Sequence, residues 1–236
     1  MRPGFHICTL TICSLLLFFN AVPVNGQDTN PQSSISFSAG YSMPYGTFAE
    51  KSFSRMAGFS SGGPVMDFRY QHFYGRKRIF GLYADASFTT HFFSERSYLA
   101  SYEEVMNVEG AFQVKTGNYL FAVTRLGILV AFPEFSGTRI ILDAGLGGAF
   151  CYHRKLSVYN TYWGQINTVS EDVSGQLMSA AGVTIEHSLN RYTAILVSWS
   201  AYGFTPSFYD EIGPYQLSFD LPVRYMNFNL GISRYF

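Results

Sequence analysis

Apolar side chains recur at every second position in eight separate segments of this chain. In the first segment, residues 35–43, Ile35 and Phe37 alternate with Ser36 and Ser38. A period of two is the spacing of a β-strand, because successive side chains of a strand point to opposite faces. Glycine scattered through the segments also disfavours helices. The other seven segments are residues 64–75, 79–92, 119–132, 138–152, 175–188, 192–203 and 223–236. The chain is therefore predicted to be all-β.

The connections between these segments alternate between long and short. The long ones are residues 44–63, 93–118, 153–174 and 204–222, and the short ones are 76–78, 133–137 and 189–191. Long loops of this size count against a compact soluble domain. They are typical of an antiparallel up-and-down transmembrane β-barrel, which has short periplasmic turns and long extracellular loops. Eight strands in this order would leave both termini in the periplasm.

Charged residues within the segments fall on the polar side of the alternation. A charge at the middle of a lipid-facing surface costs about 2–4 kcal/mol, so the apolar face is expected to point outward. An eight-stranded barrel is just wide enough for side chains to fill its interior. We therefore predict a hydrogen-bonded network of ion pairs in the lumen instead of an open pore. Its members are Asp67, Arg69, Asp85, Arg125, Asp143 and Glu186.

The composition agrees with a surface that contacts lipid. Charged residues make up 14% of the chain, against about 25% in an average soluble domain. Aromatic residues make up 18%, and they tend to form belts at the two membrane interfaces. The net charge of zero gives no reason to expect a nucleic-acid partner. The expected belts are Tyr74, Phe80, Phe132 and Phe236 on the periplasmic side, and Tyr41, Phe92, Phe150, Tyr152 and Trp199 on the outer side.

The beginning of the chain has the form of a cleavable signal peptide. Arg2 supplies a positive charge, residues 7–19 are mostly apolar, and small residues suit cleavage before Gln27. We expect residues 1–26 to be the signal peptide and residues 27–236 to be the barrel domain.

The end of the chain resembles the closing strand of outer-membrane barrels. Such strands end in an aromatic residue preceded by apolar residues at alternate positions, and in those families the barrel-assembly machinery reads this pattern. Arg234 departs from it, although a long side chain at the membrane edge can reach the headgroups. The matching residues are Phe228, Leu230, Ile232 and Phe236.

A second resemblance lies where the first strand ends. The Pro44-x-Gly46-x-Phe48 sequence is similar to the first extracellular loop of small barrels of the OmpA/OmpX and opacity-protein kind, including those of Bacteroidetes. The two resemblances imply an eight-stranded barrel in the outer membrane of a Gram-negative bacterium, surrounded by lipid and lipopolysaccharide. They do not imply one activity.

Some barrels of this size modify lipid A or phospholipid, and such chemistry would need a cluster of catalytic residue types. Glu186 and His187 are adjacent along a strand, point to opposite faces and should not form a relay. His91, with Glu95 nearby, could titrate or bind a metal, but a hydrogen-bonded histidine at the base of a loop is the simpler interpretation. We expect no cofactor and no metal.

Three further features have simple structural explanations. Cys8 and Cys13 would leave with the signal peptide, so Cys151 would have no disulfide partner and is expected to pack in the interior. The basic tripeptide 76–78 lies in a short turn and is expected to be solvated. The aromatic stretch 159–167, which includes Trp163, could be a contact surface or a loop packed on itself.

The sequence therefore predicts a non-enzymatic outer-membrane barrel. Its role would be structural or adhesive, or it would be a component of an envelope or secretion assembly, with a protein partner bound through the long loops. The alternatives are a lipid A or phospholipid-modifying enzyme and a narrow channel.

Overall fold

A computed structural model gives the fold of this chain. It describes residues 32–52, 57–75, 77–153, 155–162, 164–169, 172–212 and 215–236. The signal peptide expected at residues 1–26 lies outside these residues.

The described chain consists of strands with two short helical segments. In chain order the elements are β1 (Ser33–Pro44), a 3-10 helix (Gly46–Ala49), β2 (Ser60–Ser61), β3 (Gly63–Tyr74), β4 (Phe80–Phe93), α1 (Glu95–Met106), β5 (Phe112–Lys115), β6 (Tyr119–Ala131), β7 (Thr138–His153), β8 (Leu156–Asn160), β9 (Gly164–Val169), β10 (Asp172–Asn190), β11 (Thr193–Phe204), β12 (Ser207–Ile212), β13 (Tyr215–Asp220) and β14 (Val223–Tyr235).

Eight of these strands form a closed antiparallel barrel, which confirms the predicted fold class. Their order around the barrel is β1, β3, β4, β6, β7, β10, β11 and β14, and pairing of β14 with β1 closes the ring. Each barrel strand matches one of the eight predicted segments, and no boundary differs by more than three residues. The alternation of side chains was therefore sufficient to locate every barrel strand.

The apolar face of the barrel strands forms the outer surface. In β6 and β7, for example, Leu126 and Leu146 are 70% and 71% exposed, whereas the neighbouring Arg125 is 3% exposed. The aromatic residues expected in belts also lie on this surface, with Tyr152 half-buried and the others exposed. This arrangement reverses that of a soluble protein, in which the apolar face would be interior.

The two ends of the barrel differ. At one end, which we call the short-turn end, turns of a few residues join β3 to β4, β6 to β7 and β10 to β11. At the other, which we call the long-loop end, the connections contain the remaining elements. The strands β5, β8 and β9 form a three-stranded sheet, and β12 pairs with β13. The prediction of long polar loops was thus incomplete, because strands of four to six residues are too short to show a periodicity.

The elements at the long-loop end pack together into a cap. Phe59, Tyr98, Tyr102, Leu156 and Val158 are its buried apolar residues. The rings of Phe59 and Tyr98 are 5.1 Å apart in an edge-to-face arrangement, and α1 contacts β5. The cap therefore has a small hydrophobic core of its own.

No helix among the described residues is long and apolar enough to span a membrane.

Close approach of β6 and β7 requires glycine at position 147. A Cβ atom built on Gly147 would lie 1.9 Å from the carbonyl oxygen of Thr124, whereas one built on Gly148 has no heavy atom within 4 Å. We expect Gly147→Ala to lower the free energy of unfolding by about 1–3 kcal/mol, because the two strands must separate locally. Urea titration in detergent micelles, followed by the heat-modifiable gel mobility of the closed barrel, measures this.

Gly148→Ala is the matched control, because both substitutions change the unfolded chain in the same way. We expect it to change the free energy by no more than about 0.5 kcal/mol. Equal stability of the two variants would contradict the close packing of β6 on β7.

Candidate functional site: the lumen and its cap

Four of the charged residues predicted in the lumen form one ion-pair cluster at its middle. Arg69, Asp85 and Arg125 are direct cross-strand neighbours on β3, β4 and β6. The Arg125 Nε atom is 2.7 Å from Asp85 Oδ2, and Arg69 Nη2 is 3.2 Å from the same oxygen. Asp143, on β7, contacts Arg69 at 3.2 Å and Arg125 at 3.4 Å. Positive and negative groups thus alternate, which is the favourable arrangement of cross-strand pairs.

Aromatic rings cover this cluster. The guanidinium carbon atoms of Arg69 and Arg125 lie 4.7 Å and 5.2 Å from the centre of the Tyr83 ring. Tyr83 is opposite Gly127, and Gly127 is opposite Gly145. A Cβ on either glycine would come within 2.5 Å of the Tyr83 ring or its hydroxyl. The two glycines therefore leave the space in which this ring packs against the arginines.

The remaining two predicted residues lie outside the cluster. Asp67 accepts a hydrogen bond from the Asn229 side chain. Glu186 accepts hydrogen bonds from Arg139 Nη2 at 2.8 Å and from Gln71 Nε2 at 3.0 Å. The gap between Asp67 and Glu186 is a cavity of about 20 Å³, which is little more than the space one water molecule needs.

Arg139 is a further charged residue of the lumen that was absent from the predicted network. It is 7% exposed, lies directly opposite Glu186, and also donates to the Tyr235 hydroxyl at 2.7 Å. The signal was available, because Arg139 is four residues before Asp143 and so shares its face of the strand.

Aromatic rings fill the lumen toward the long-loop end. We call Phe48, Phe121, Tyr202 and Tyr225, with the buried residues around them, the plug. The Tyr202 and Tyr225 rings stack 4.8 Å apart, and Phe121 stacks on Tyr225 at 5.7 Å. The alternation of side chains predicted an ion-pair network in the lumen but not these aromatic rings, which fill the lumen toward the long loops. Phe48 comes from the 3-10 helix after β1, and its position could not be read from strand periodicity.

His91 is enclosed by the plug. It is fully buried, its Nε2 atom is 3.0 Å from the Ser42 hydroxyl, and its ring is 5.3 Å from that of Phe48. Glu95 instead accepts a hydrogen bond from the backbone N–H of Thr116. Among the residues that the structure describes, no three His, Cys, Asp and Glu side chains lie close enough together to hold a metal ion.

The other residue types considered for chemistry have packing or surface positions. His187 is on the outer surface, where its Nδ1 atom is 2.9 Å from the Thr138 hydroxyl, so it faces away from Glu186. Cys151 is fully buried in the plug. Residues 76 and 163 lie outside the described residues. Residues 156–160 and 164–169 pair as β8 and β9 in the cap sheet.

The residues of the expected assembly signal line the outer surface of β14. Phe228, Leu230, Ile232 and Phe236 are between 41% and 66% exposed. Arg234 is half-buried on the same face, opposite Ile35 of β1 and Thr193 of β11. Recognition of these residues by an assembly machinery stays a prediction.

Comparison with solved structures identifies the class of fold. No protein-family model and no curated protein matches the chain. The structure is similar to that of Neisserial surface protein A, with a TM-score of 0.52 and 9% sequence identity over 86% of this chain and 97% of that chain. At this identity the likeness concerns the fold alone. The protein has the eight-stranded fold of a small outer-membrane barrel.

Two other outer-membrane proteins are also similar. The first is the attachment invasion locus protein Ail of Yersinia pestis, with a TM-score of 0.48 and 12% identity over 88% of this chain and 100% of that chain. The second is the outer membrane protein AlkL, with a TM-score of 0.49 and 11% identity over 91% of this chain and 95% of that chain.

Removal of Arg125 should destabilise the barrel strongly. Arg125→Met leaves Asp85 and Asp143 buried with Arg69 as their shared cation, and breaking a buried pair in this way costs about 3–5 kcal/mol. Urea unfolding in micelles measures the loss. Combining Arg125→Met with Asp85→Asn should restore part of it, because one uncompensated carboxylate is removed.

Arg234→Met is the control, because it also replaces an arginine by methionine but on the outer surface, away from the lumen cluster. If it destabilised the barrel as much as Arg125→Met does, the special role of the lumen cluster would be contradicted.

Proposed function

We propose that this protein is a non-enzymatic outer-membrane barrel that displays a folded cap outside the cell, and that the cap binds a protein partner. The role is adhesion or a place in an envelope assembly. The cap would face the exterior and both termini the periplasm of a Gram-negative cell; membership of the Bacteroidetes type stays a prediction.

The distribution of polar groups supports a membrane location. A chain in lipid must pair all its backbone polar groups internally, which a closed barrel does and an open sheet does not. The outer surface carries the apolar side chains and the lumen carries Asp85, Arg125 and Asp143. The contrast between short turns and long, structured connections supports the orientation, since long connections are typical of the extracellular side.

The single observation that carries the proposal is a folded cap above a lumen that the plug closes. The stacked rings of the plug fill the long-loop half of the lumen, which disfavours a channel. A lipid-modifying enzyme would need polar groups on the outer surface near the cap, and Tyr41, Phe92, Phe150 and Trp199 are exposed there instead. What the cap adds to a plain barrel is a stable surface beyond the membrane.

The tip of the cap has the properties of a protein-binding surface. Val105, Met106 and Val108 are 62%, 50% and 44% exposed at the end of α1. Exposed apolar groups in one place mark interaction sites. The tip is also ordered, because the backbone N–H of Gly110 donates to the Glu103 carboxylate at 2.9 Å, and Thr161 donates to the carbonyl oxygen of Ala111. Binding of a partner would therefore cost little conformational entropy at the tip.

The charges around the tip indicate what kind of surface it would contact. Glu103, Glu104 and Glu109 lie within a few residues of the exposed valines and methionine. These glutamates, which we call the acidic rim of the tip, complement a partner surface on which basic groups lie beside apolar ones.

Cysteine labelling in living cells tests the orientation. Cys151 is fully buried, and Cys8 and Cys13 are expected to leave with the signal peptide, so the unsubstituted protein should not be labelled. We expect a membrane-impermeant maleimide to label Val105→Cys on intact cells, and to label Lys77→Cys, in a short turn, only after the outer membrane is permeabilised. The reverse order of labelling would contradict the proposed orientation, and recovery of the protein in the soluble periplasmic fraction would contradict the membrane location.

Site-specific crosslinking tests the binding role. With a photo-reactive amino acid in place of Val105, we expect a protein adduct that disappears when Glu104→Lys and Glu109→Lys reverse the charge of the rim. The matched control is the same probe in place of Leu146 on the lipid face, where no protein adduct is expected. No adduct at the tip, or an adduct that survives charge reversal, would contradict the proposed partner.

A further inference from the structure

The short-turn end of the lumen is a polar cavity that is open to solvent on that side. Its volume is about 290 Å³, near the lower limit for small-molecule sites. All three short turns and the ends of the strands beside them contribute to it. Its lining residues are Arg78, Glu134, Arg139, Glu186, Ser188, Asn190, Arg191 and Tyr235. We call this cavity the mouth.

The floor of the mouth is fixed by a compact hydrogen-bond network. Arg139 Nη2 donates to Glu186 and to the Tyr235 hydroxyl, which in turn donates to Glu186. Gln71 donates to the other oxygen of Glu186. The Arg139 guanidinium also stacks on Phe73, 4.4 Å from the ring centre. Both oxygens of Glu186 therefore accept hydrogen bonds from other side chains of the protein.

The rim of the mouth is rich in donors. Arg78 Nη2 is 3.9 Å from Glu134 Oε2, which is a long ion pair at a partly exposed position. Arg191 is exposed in the turn between β10 and β11. The side-chain oxygen of Asn190 accepts the backbone N–H of Tyr192 at 2.9 Å, so its amide nitrogen is the donor left to the mouth. With three arginines and two glutamates, the lining carries an excess of one positive charge.

We propose that the mouth binds the terminal carboxylate of a peptide chain present on the short-turn side of the membrane. The guanidinium groups of Arg78 and Arg191 hold the carboxylate at the rim, since the planar fork of arginine matches a carboxylate in two parallel hydrogen bonds. Glu134 and the Ser188 hydroxyl are then placed to accept an N–H group of the same peptide.

The charge balance favours a carboxylate over a phosphate. A carboxylate carries one negative charge, equal to the excess in the mouth, whereas a phosphate monoester carries about −1.5 to −2 near neutral pH. The carboxylates of Glu134 and Glu186 would repel the second charge of a phosphate. The size of the cavity suits the end of a chain and not a folded partner.

The ligand must enter from the short-turn side. The plug closes the other half of the lumen, and the ion-pair cluster of Arg69, Asp85, Arg125 and Asp143 lies between the plug and the mouth. The site is therefore separate from the cap tip and does not depend on the proposed role of the cap.

Titration of the isotope-labelled protein in detergent micelles tests the proposal. The probe is the dipeptide Ala-Ala, and the reporters are the backbone amide resonances of Ser188, Asn190 and Arg191. We expect saturable shifts confined to the mouth at millimolar concentration. Ala-Ala with an amidated C-terminus should bind at least about tenfold more weakly, the loss expected for one charge-assisted hydrogen bond. Inorganic phosphate should also bind more weakly than Ala-Ala, because Glu134 and Glu186 repel its second negative charge.

Two variants and a control locate the site. Arg191→Gln and Arg78→Gln should each weaken Ala-Ala binding by about tenfold or more. Lys77→Gln removes a positive charge from the same turn as Arg78 without lining the mouth, and should change binding by less than about threefold. Because these side chains are on turns, the unchanged spectrum of the barrel strands verifies folding.

The proposal would be overturned by any of four results. They are no saturable shift with Ala-Ala, equal affinity for the amidated dipeptide, tighter binding of inorganic phosphate, or an effect of Lys77→Gln as large as that of Arg191→Gln. The last result would indicate general electrostatic attraction to the basic turn.

Discussion

The closed ring of backbone hydrogen bonds, completed where β14 pairs with β1, is the constraint on which the rest of this structure depends. Closure removes the free strand edges, so the outer surface can be uniformly apolar without leaving backbone polar groups unpaired in lipid. It also creates an interior that only alternate side chains reach. The charged side chains of Asp85, Arg125, Arg139, Asp143 and Glu186 thereby lie in the lumen. The wall separates them from bulk water there, so burial without a partner would be costly.

The lumen is filled differently along its length. Near the long loops, stacked rings such as those of Tyr202 and Tyr225 need no counter-charge and exclude water. At the middle, Arg69, Asp85, Arg125 and Asp143 compensate one another, both between adjacent strands and across the lumen from β3 to β7. At the short-turn end, the network around Arg139 and Glu186 opens to solvent. This gradient from apolar and closed to polar and open gives the two ends of the barrel different chemical capacities.

The cap shows why loops of this length carry structure. A connection of about 20 residues without internal contacts would lose much conformational entropy wherever it was ordered. The rings of Phe59, Tyr98 and Tyr102 supply a small core that offsets this cost, and sheet pairing satisfies the backbone. The apolar tip residues are consequently supported by the packed core and the paired strands of the cap. The proposed functions lie at the two ends of the barrel, because its outer wall is apolar and the middle of its lumen is filled by internal ion pairs.

The sequence by itself determined the eight strands, their boundaries and the face to which each side chain points, because the period of a strand is a local property. The alternation placed Asp85, Arg125 and Asp143 on the lumen face of their strands. It would also have placed Arg139 there, because Arg139 is four residues before Asp143 on the same strand. Only the tertiary structure decided which charges meet, since strand register sets Arg69 opposite Asp85 and Arg139 opposite Glu186. It alone also decided that Phe48 enters the lumen, that short loop strands pair into a cap, and that three separate turns form one mouth. These features bring together residues that are far apart in the chain, and a local sequence pattern cannot predict which distant residues come into contact.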